Sequence, residues 1–323
     1  MIKKSLKILG LLLLVVVLGI VIRYVFWRTD KLKTLAAQSH IVDTASGPVQ
    51  YSLQGEEGQI ILFLHGTPGG FDHNPFFTPD TLPGFRQLTP SRPGYLGTPL
   101  ATGETPEQQA HAYAALLDAI GIDRVVVMGA SGGGPSAVYF AALYPERTLA
   151  LVGLEILTYP RTEALRMPGM MRSDFLYWSG VSAITGIDGG KTMLSMFQLP
   201  EADVARVLES PSGLDRTKAM VWAGWPAAAR VAGWENDSAQ FMKLALPLEK
   251  ITAPALILQG TEDIQVSYDR AKEMAARLPN GRFYTVAGAT HAMPLTHRDE
   301  LQAVIRAFLA ELPEREKEIS GVQ

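Results

Sequence analysis

The chain has 323 residues, 47% hydrophobic and 19% charged, which suits a large α/β domain with an insertion and not a disordered segment. Its formal net charge is −3, but the first 33 residues hold seven Lys or Arg against one Asp. That leaves 22 basic against 31 acidic residues in the remainder and argues against a nucleic-acid partner. Cysteine is absent, so disulfides, thiolate metal sites and a cysteine nucleophile are excluded.

Lys3, Lys4 and Lys7 precede an uncharged run from Ile8 to Ile22, and Arg23, Tyr24, Phe26, Trp27 and Arg28 follow it. Fifteen residues at about 1.5 Å each fall short of a hydrocarbon core of about 30 Å, but the flanking cations snorkel and the aromatic rings suit the interface. The run is therefore expected to span a membrane once, with residues 1–35 as anchor and linker. A cleavable signal peptide is the competing reading, with Lys3 and Lys4 as its n-region. Against it, Arg23 and the aromatic residues follow Ile22 directly and Leu35-Ala36-Ala37 lies far downstream. Basic residues flank both ends, which leaves the orientation open. Because the first strand signal begins near His40, residues 1–35 are expected to be dispensable for folding.

His40 to Thr44 and Val49 to Leu53 suggest two antiparallel strands about the turn Ser46-Gly47-Pro48. Gln59 to Leu64 is a continuous apolar run, as expected of a strand covered on both faces, and it enters the tight loop His65-Gly66-Thr67-Pro68-Gly69-Gly70. His65 reads as a residue that braces this loop. Phe85 to Thr89 is a weaker strand followed by the loop Pro90 to Gly97. Thr105, Pro106 and Gln108 then form a capping-box helix start, and Gly121 ends that helix.

The next stretch carries the chemistry. A valine-rich strand from Arg124 meets Gly129-Ala130-Ser131-Gly132-Gly133 and then an alanine-rich helix closed by Pro145. Gly-x-Ser-x-Gly at a strand-to-helix turn holds a serine in a strained conformation with its hydroxyl outward, at a helix N-terminus that favours developing negative charge. A dinucleotide fingerprint would need glycine where Ser131 stands. The oxyanion donors are expected to be the backbone N–H groups of Gly132 and, from the loop after the earlier strand, Thr67.

Thr148 to Ile156 is another buried strand, after which the alternation of strand and helix stops. Residues 157–248 show helical stretches at Leu176 to Ile184, Thr192 to Leu199, Glu201 to Leu208 and Asp215 to Val231, and hold four of the five tryptophans. They are read as a helical cap over the carboxyl edge of the sheet, favouring an apolar acyl or alcohol group. Gly186 to Thr192 resembles a phosphate loop but lacks its spacing and a preceding strand. Alternation resumes with the strand from Ala255, the helix Ser267 to Leu278, the strand Arg282 to Val286, an amphipathic helix through Leu309 and a charged tail, Glu314 to Glu318.

Asp263 and His291 both follow strands, so in a mostly parallel sheet they share the edge of Ser131. A serine hydroxyl needs an imidazole to take its proton, and the imidazole needs a carboxylate to fix its tautomer. Asp263 is the favoured acid and Glu155, at the end of a neighbouring strand, the alternative.

His65-Gly66-Thr67-Pro68-Gly69, Ser91-Arg92-Pro93-Gly94-Tyr95, the Ser131 motif, Gly260-x-x-Asp263 and Gly288-x-x-His291 together resemble the α/β-hydrolase family over about residues 40–310. The resemblance implies a mostly parallel eight-stranded sheet with helices on both faces, a cap after the sixth strand, and a core of residues 36–156 and 249–323. It also implies a catalytic Ser131, Asp263 and His291 acting on an acyl bond of a small molecule, with no cofactor and no metal. Proline iminopeptidases look similar, and a hydrolase-like fold used only for binding is the non-enzymatic alternative.

Overall fold

The computed structural model describes residues 2–73, 82–197 and 199–312. Helix α1 (Ile2–Ala37) is followed by strands β1 (His40–Thr44), β2 (Gly47–Gln54), β3 (Gln59–Leu64) and β4 (Phe85–Pro90), then helix α2 (Pro106–Ala119). Strand β5 (Val125–Ala130) leads into α3 (Gly134–Leu143) and β6 (Thr148–Leu154). Helices α4 (Asp174–Gly186), α5 (Glu201–Glu209), α6 (Gly213–Trp222) and α7 (Val231–Phe241) precede β7 (Ala255–Gly260). The chain continues with α8 (Tyr268–Arg277), β8 (Gly281–Val286), α9 (Met293–Thr296) and α10 (Arg298–Ala310). The tail from Glu314 to Glu318 lies outside the described residues.

All eight strands join one sheet in the order β1-β2-β4-β3-β5-β6-β7-β8; the β1–β2 and β2–β4 pairs are antiparallel and the rest parallel. The continuous apolar runs follow from burial on both faces. Ile60, Leu62, Leu64, Val125 and Val127 pack on α2, α3 and α8, whereas Ile61, Phe63, Val126 and Met128 pack on the side of α10. Register then sets the site: Leu64 pairs with Gly129, Ala130 with Leu154, Leu154 with Leu258 and Gly260 with Val286, so the loops after β3, β5, β6, β7 and β8 leave at one edge.

Between β6 and β7 the described residues are helical or irregular, with α6 reaching over the edge. Two expected helices are corrected. Asp215 to Val231 is not one helix: α6 stops at Trp222 and α7 starts at Val231, because Gly224 lies against the Tyr177 ring and Pro226 cannot continue a helical ladder. Thr192 to Leu199 is not an α-helix: tight turns run over Asp188–Phe197, with Gly189 and Gly190 at positive φ and Asp188 Oδ1 accepting the Thr192 N–H at 3.0 Å.

Helix α1 is longer and more integrated than an anchor with a linker. Its most apolar 18-residue window has a mean hydropathy of 2.9, so it is long and apolar enough to cross a membrane. The large apolar side chains from Leu6 to Ile22 are exposed, but Tyr24, Trp27, Leu32 and Leu35 join a cluster with Trp178, Val181, Val221 and Trp225. The Tyr24 ring lies 5.2 Å from that of Phe175, and the Trp27 ring 4.8 Å from that of Trp225. The residues expected as linker are thus a continuation of the helix, packed on α4 and α6.

Candidate active site

Ser131 follows β5 with φ of 47°, the left-handed conformation that a strand-to-helix reversal demands. The glycines around it answer to close packing: a Cβ at Gly133 would strike the Leu64 carbonyl, and one at Gly132 would strike Thr67 Oγ1 and the Phe241 ring. This crowding brings the loop after β3 against the serine turn. Thr67 and Gly132, the two residues expected to offer oxyanion donors, are therefore in contact.

His291, five residues beyond β8, reaches back so that Nε2 lies 3.0 Å from Ser131 Oγ and Nδ1 lies 2.7 Å from Asp263 Oδ2. Asp263 is fixed by more than this bond. Its Oδ1 accepts the backbone N–H groups of Gln265 at 2.8 Å and Val266 at 3.0 Å, and its Oδ2 accepts Gln259 Nε2 at 2.8 Å. With the carboxylate accepting on Nδ1, that nitrogen carries the proton and Nε2 faces the serine as an acceptor. Ser131, His291 and Asp263 thus form one hydrogen-bonded line. Gln259, at the end of a buried strand, was not singled out from sequence; a polar residue in an otherwise apolar run was its signal. His65 is fully buried, with Nδ1 2.8 Å from the Gly66 carbonyl and Nε2 accepting the Arg92 N–H at 2.9 Å, so it braces the loop and stands outside the line.

Residues 59–298, about three quarters of the chain, match the family model for the alpha/beta hydrolase fold. The chain belongs to this family. This hydrolase is 26% identical over 291 residues to a 2-hydroxy-6-oxononadienedioate/2-hydroxy-6-oxononatrienedioate hydrolase of Dechloromonas aromatica, covering 87% of this chain and 98% of the relative. Among solved structures, an alpha/beta hydrolase fold protein from Nakamurella multipartita superposes with a TM-score of 0.75 at 28% identity, covering 84% of this chain and 98% of that one. A bacterial membrane phospholipase A shares the fold with a TM-score of 0.65 at 19% identity, over 94% of this chain and 98% of that one.

The electrostatics of the hydrolase's site are uneven. Burial works against the Asp263 charge, but the His291 hydrogen bond and charge and the two backbone N–H groups outweigh it and hold the carboxyl below its ordinary pKa. For His291 burial pulls downward, and the Glu155 carboxyl together with Asp263 brings the net shift upward. Glu155 itself is pushed up to about 8, chiefly by burial; nearby His291 opposes the rise and Asp263 adds to it. Its Oε2 is buried without a hydrogen-bond partner, and Glu155 takes φ of 44° at the end of β6. Glu155, Asp263 and His291 each bring a potential ligand atom within 4.8 Å of the others. The His291 nitrogens, however, already face Ser131 and Asp263, so this set does not fit a metal centre without dismantling the line.

A cavity of about 110 Å³ opens beside Ser131 and His291. Phe63, Leu154, Met220, Pro294 and Leu295 give it an apolar wall, and Met220 comes from α6 in the insertion. Thr67, His73 and Glu155 add polar groups.

Proposed function

We propose that this chain is a membrane-anchored serine hydrolase that cleaves an ester or related acyl bond of an apolar small molecule. Ser131 is the nucleophile and His291 the general base; Asp263 orients the imidazole and stabilises its cation. The observation that carries the proposal is His291 bridging Ser131 Oγ at 3.0 Å and Asp263 Oδ2 at 2.7 Å. As Ser131 Oγ attacks the carbonyl carbon, its proton passes to His291 Nε2, and the oxyanion is received by the backbone N–H groups of Thr67 and Gly132. His291 then hands the proton to the leaving group, and water repeats the sequence on the acyl-enzyme.

A second reading has support from the relatives. Proteins named as 2-hydroxy-6-oxononadienedioate hydrolases are 24–26% identical over most of this chain, and their substrate carries two carboxylates. Among its described residues the cavity lining includes no Lys or Arg, which favours an apolar acyl substrate over a dianion. The cap between residues 157 and 248 supplies part of that lining through Met220. The anchoring half of the proposal rests on the exposed apolar side chains of α1 from Leu6 to Ile22.

The test is kcat/KM for p-nitrophenyl esters from acetate upward, beside an aminoacyl amide series and a 2-hydroxy-6-oxodienoate. Each methylene that enters the cavity contributes about 0.8 kcal/mol, so esters should improve by up to about fourfold per carbon until the cavity is full. Preference for a free amino terminus or for the dienoate would overturn the ester assignment. Ser131→Ala should abolish both turnover and fluorophosphonate labelling. Full-length chain recovered in the soluble fraction after carbonate extraction would overturn the anchor.

A further inference from the structure

Asp237, on α7, sends its carboxylate out of the insertion and into the loop beside the serine turn. It is 2% exposed, and four hydrogen bonds converge on it. Oδ1 accepts Arg92 Nη1 at 2.8 Å; Oδ2 accepts Arg92 Nη2 at 2.5 Å, the Tyr95 hydroxyl at 2.6 Å and the Thr67 hydroxyl. Arg92, equally buried, continues past Asp237 to the loop after β3. Its Nε donates to the His65 carbonyl at 2.8 Å and its Nη2 to Thr67 Oγ1 at 3.1 Å. Thr67 therefore accepts from Arg92 and donates to Asp237, which leaves its side chain one rotamer.

Four residues on, and so on the same face of α7, Phe241 places its ring where a Cβ on Gly132 would fall. One helix of the insertion thus touches both residues that frame the proposed oxyanion position: Asp237 holds Thr67, and Phe241 backs Gly132. A buried guanidinium–carboxylate pair seldom returns more than its desolvation costs, so simple stabilisation is a weak reason for one here.

We propose that Asp237 is a positioning residue for the oxyanion hole. Through the Thr67 hydroxyl it sets the direction of the Thr67 backbone N–H, so the hole is complete only while α7 is seated on the core. The inference rests on the reading of Thr67 and Gly132 as oxyanion donors. Seating of the cap and readiness for chemistry then become one event.

The experiment uses the full-length chain and compares Thr67→Val, Thr67→Ser, Asp237→Asn and the Thr67→Val/Asp237→Asn double variant. It measures kcat and KM for p-nitrophenyl butyrate, affinity for butylboronic acid, which forms a tetrahedral adduct on a serine nucleophile, and thermal unfolding. Thr67→Val and Asp237→Asn should each lower kcat by about 10- to 100-fold with KM little changed, and boronate affinity should fall in parallel. Thr67→Ser should restore kcat, and the double variant should be no worse than the poorer single one. A parent-like kcat in Thr67→Val, failure of Thr67→Ser to restore it, or multiplying effects in the double variant would overturn the inference. If Asp237→Asn does not fold, the two Thr67 variants still test the hydroxyl through which Asp237 would act, and a parent-like kcat in Thr67→Val overturns the inference by itself. Turnover by Ser131→Ala would instead overturn the acyl-enzyme reading and this inference with it.

Discussion

Asp263 and Glu155 bring carboxyl oxygens within 4.8 Å of each other and of a His291 nitrogen, yet Asp263 is hydrogen-bonded to the ring while Glu155 Oε2 has no partner. Two acids at the ends of adjacent strands compete for one imidazole, and hydrogen bonding decides between them. Asp263→Asn should therefore cost kcat about 10⁴-fold by leaving the wrong tautomer facing Ser131, whereas Glu155→Gln should cost less than about tenfold. Steady-state kinetics on one ester checks the ranking, and a reversed order would exchange the two roles.

Glu155 should also make stability depend on pH. Its folded-state pKa, about 8, lies above the ordinary 4.5, so the folded chain holds this proton more tightly than the unfolded chain does. That contribution is full below about pH 4.5 and declines as pH rises toward and through about 8, with an amplitude on the order of a few kcal/mol. Thermal unfolding from pH 5 to 9 should show the parent losing more stability than Glu155→Gln, which should be the more stable protein at pH 9. Parallel curves would mean that Glu155 is solvated.

The same substitution should leave the acid limb of activity in place. Below about pH 8 Glu155 is largely protonated, and a neutral carboxyl does not hold the imidazolium form of His291, the form that cannot accept the serine proton. Glu155→Gln should therefore leave the acid limb of kcat/KM, below about pH 8, nearly where it is in the parent. A limb shifted to lower pH would mean that Glu155 is ionised beside His291 at neutral pH.

Gly132→Ala should damage catalysis more than folding. The added methyl meets Thr67 Oγ1 and the Phe241 ring, and relief of that clash displaces a proposed oxyanion donor. A loss of about 10²-fold or more in kcat is expected, with the unfolding midpoint lowered by only a few degrees. Near-parent kcat would move the oxyanion position elsewhere.

Truncations of α1 should divide at Arg23. Removing residues 1–22 takes away exposed apolar surface and should leave a soluble, folded enzyme. Removing residues 1–35 also strips Tyr24, Trp27, Leu32 and Leu35 from Trp178 and Trp225, and should destabilise the insertion by about 3 kcal/mol or more. Equal unfolding midpoints for the two truncations would show that the aromatic contacts contribute nothing.

The sheet and the positions of Ser131, Asp263 and His291 were legible because their signals are local: apolar runs of strand length, each ending at a glycine-marked loop. The insertion was less legible. The break between α6 and α7 depends on Tyr177 lying against Gly224, and Asp237 finds Arg92 across 145 residues. Asp237 by itself is one more polar residue on a helix, and no spacing rule links it to Thr67. Trp27 likewise shows its partners only once α4 and α6 are folded.

Continuity in α1 means that its exposed apolar stretch and the insertion that helps line the cavity are joined by one unbroken helix. The junction between its exposed stretch and the catalytic body lies inside a packed cluster of aromatic rings and not in a loop. The Trp27 ring lies 6.2 Å from that of Trp178 on α4 and 5.0 Å from that of Trp222 on α6, the helix that also carries Met220 of the cavity wall. Under the proposed anchoring, whatever fixes the heading of α1 also fixes the direction in which the cavity faces.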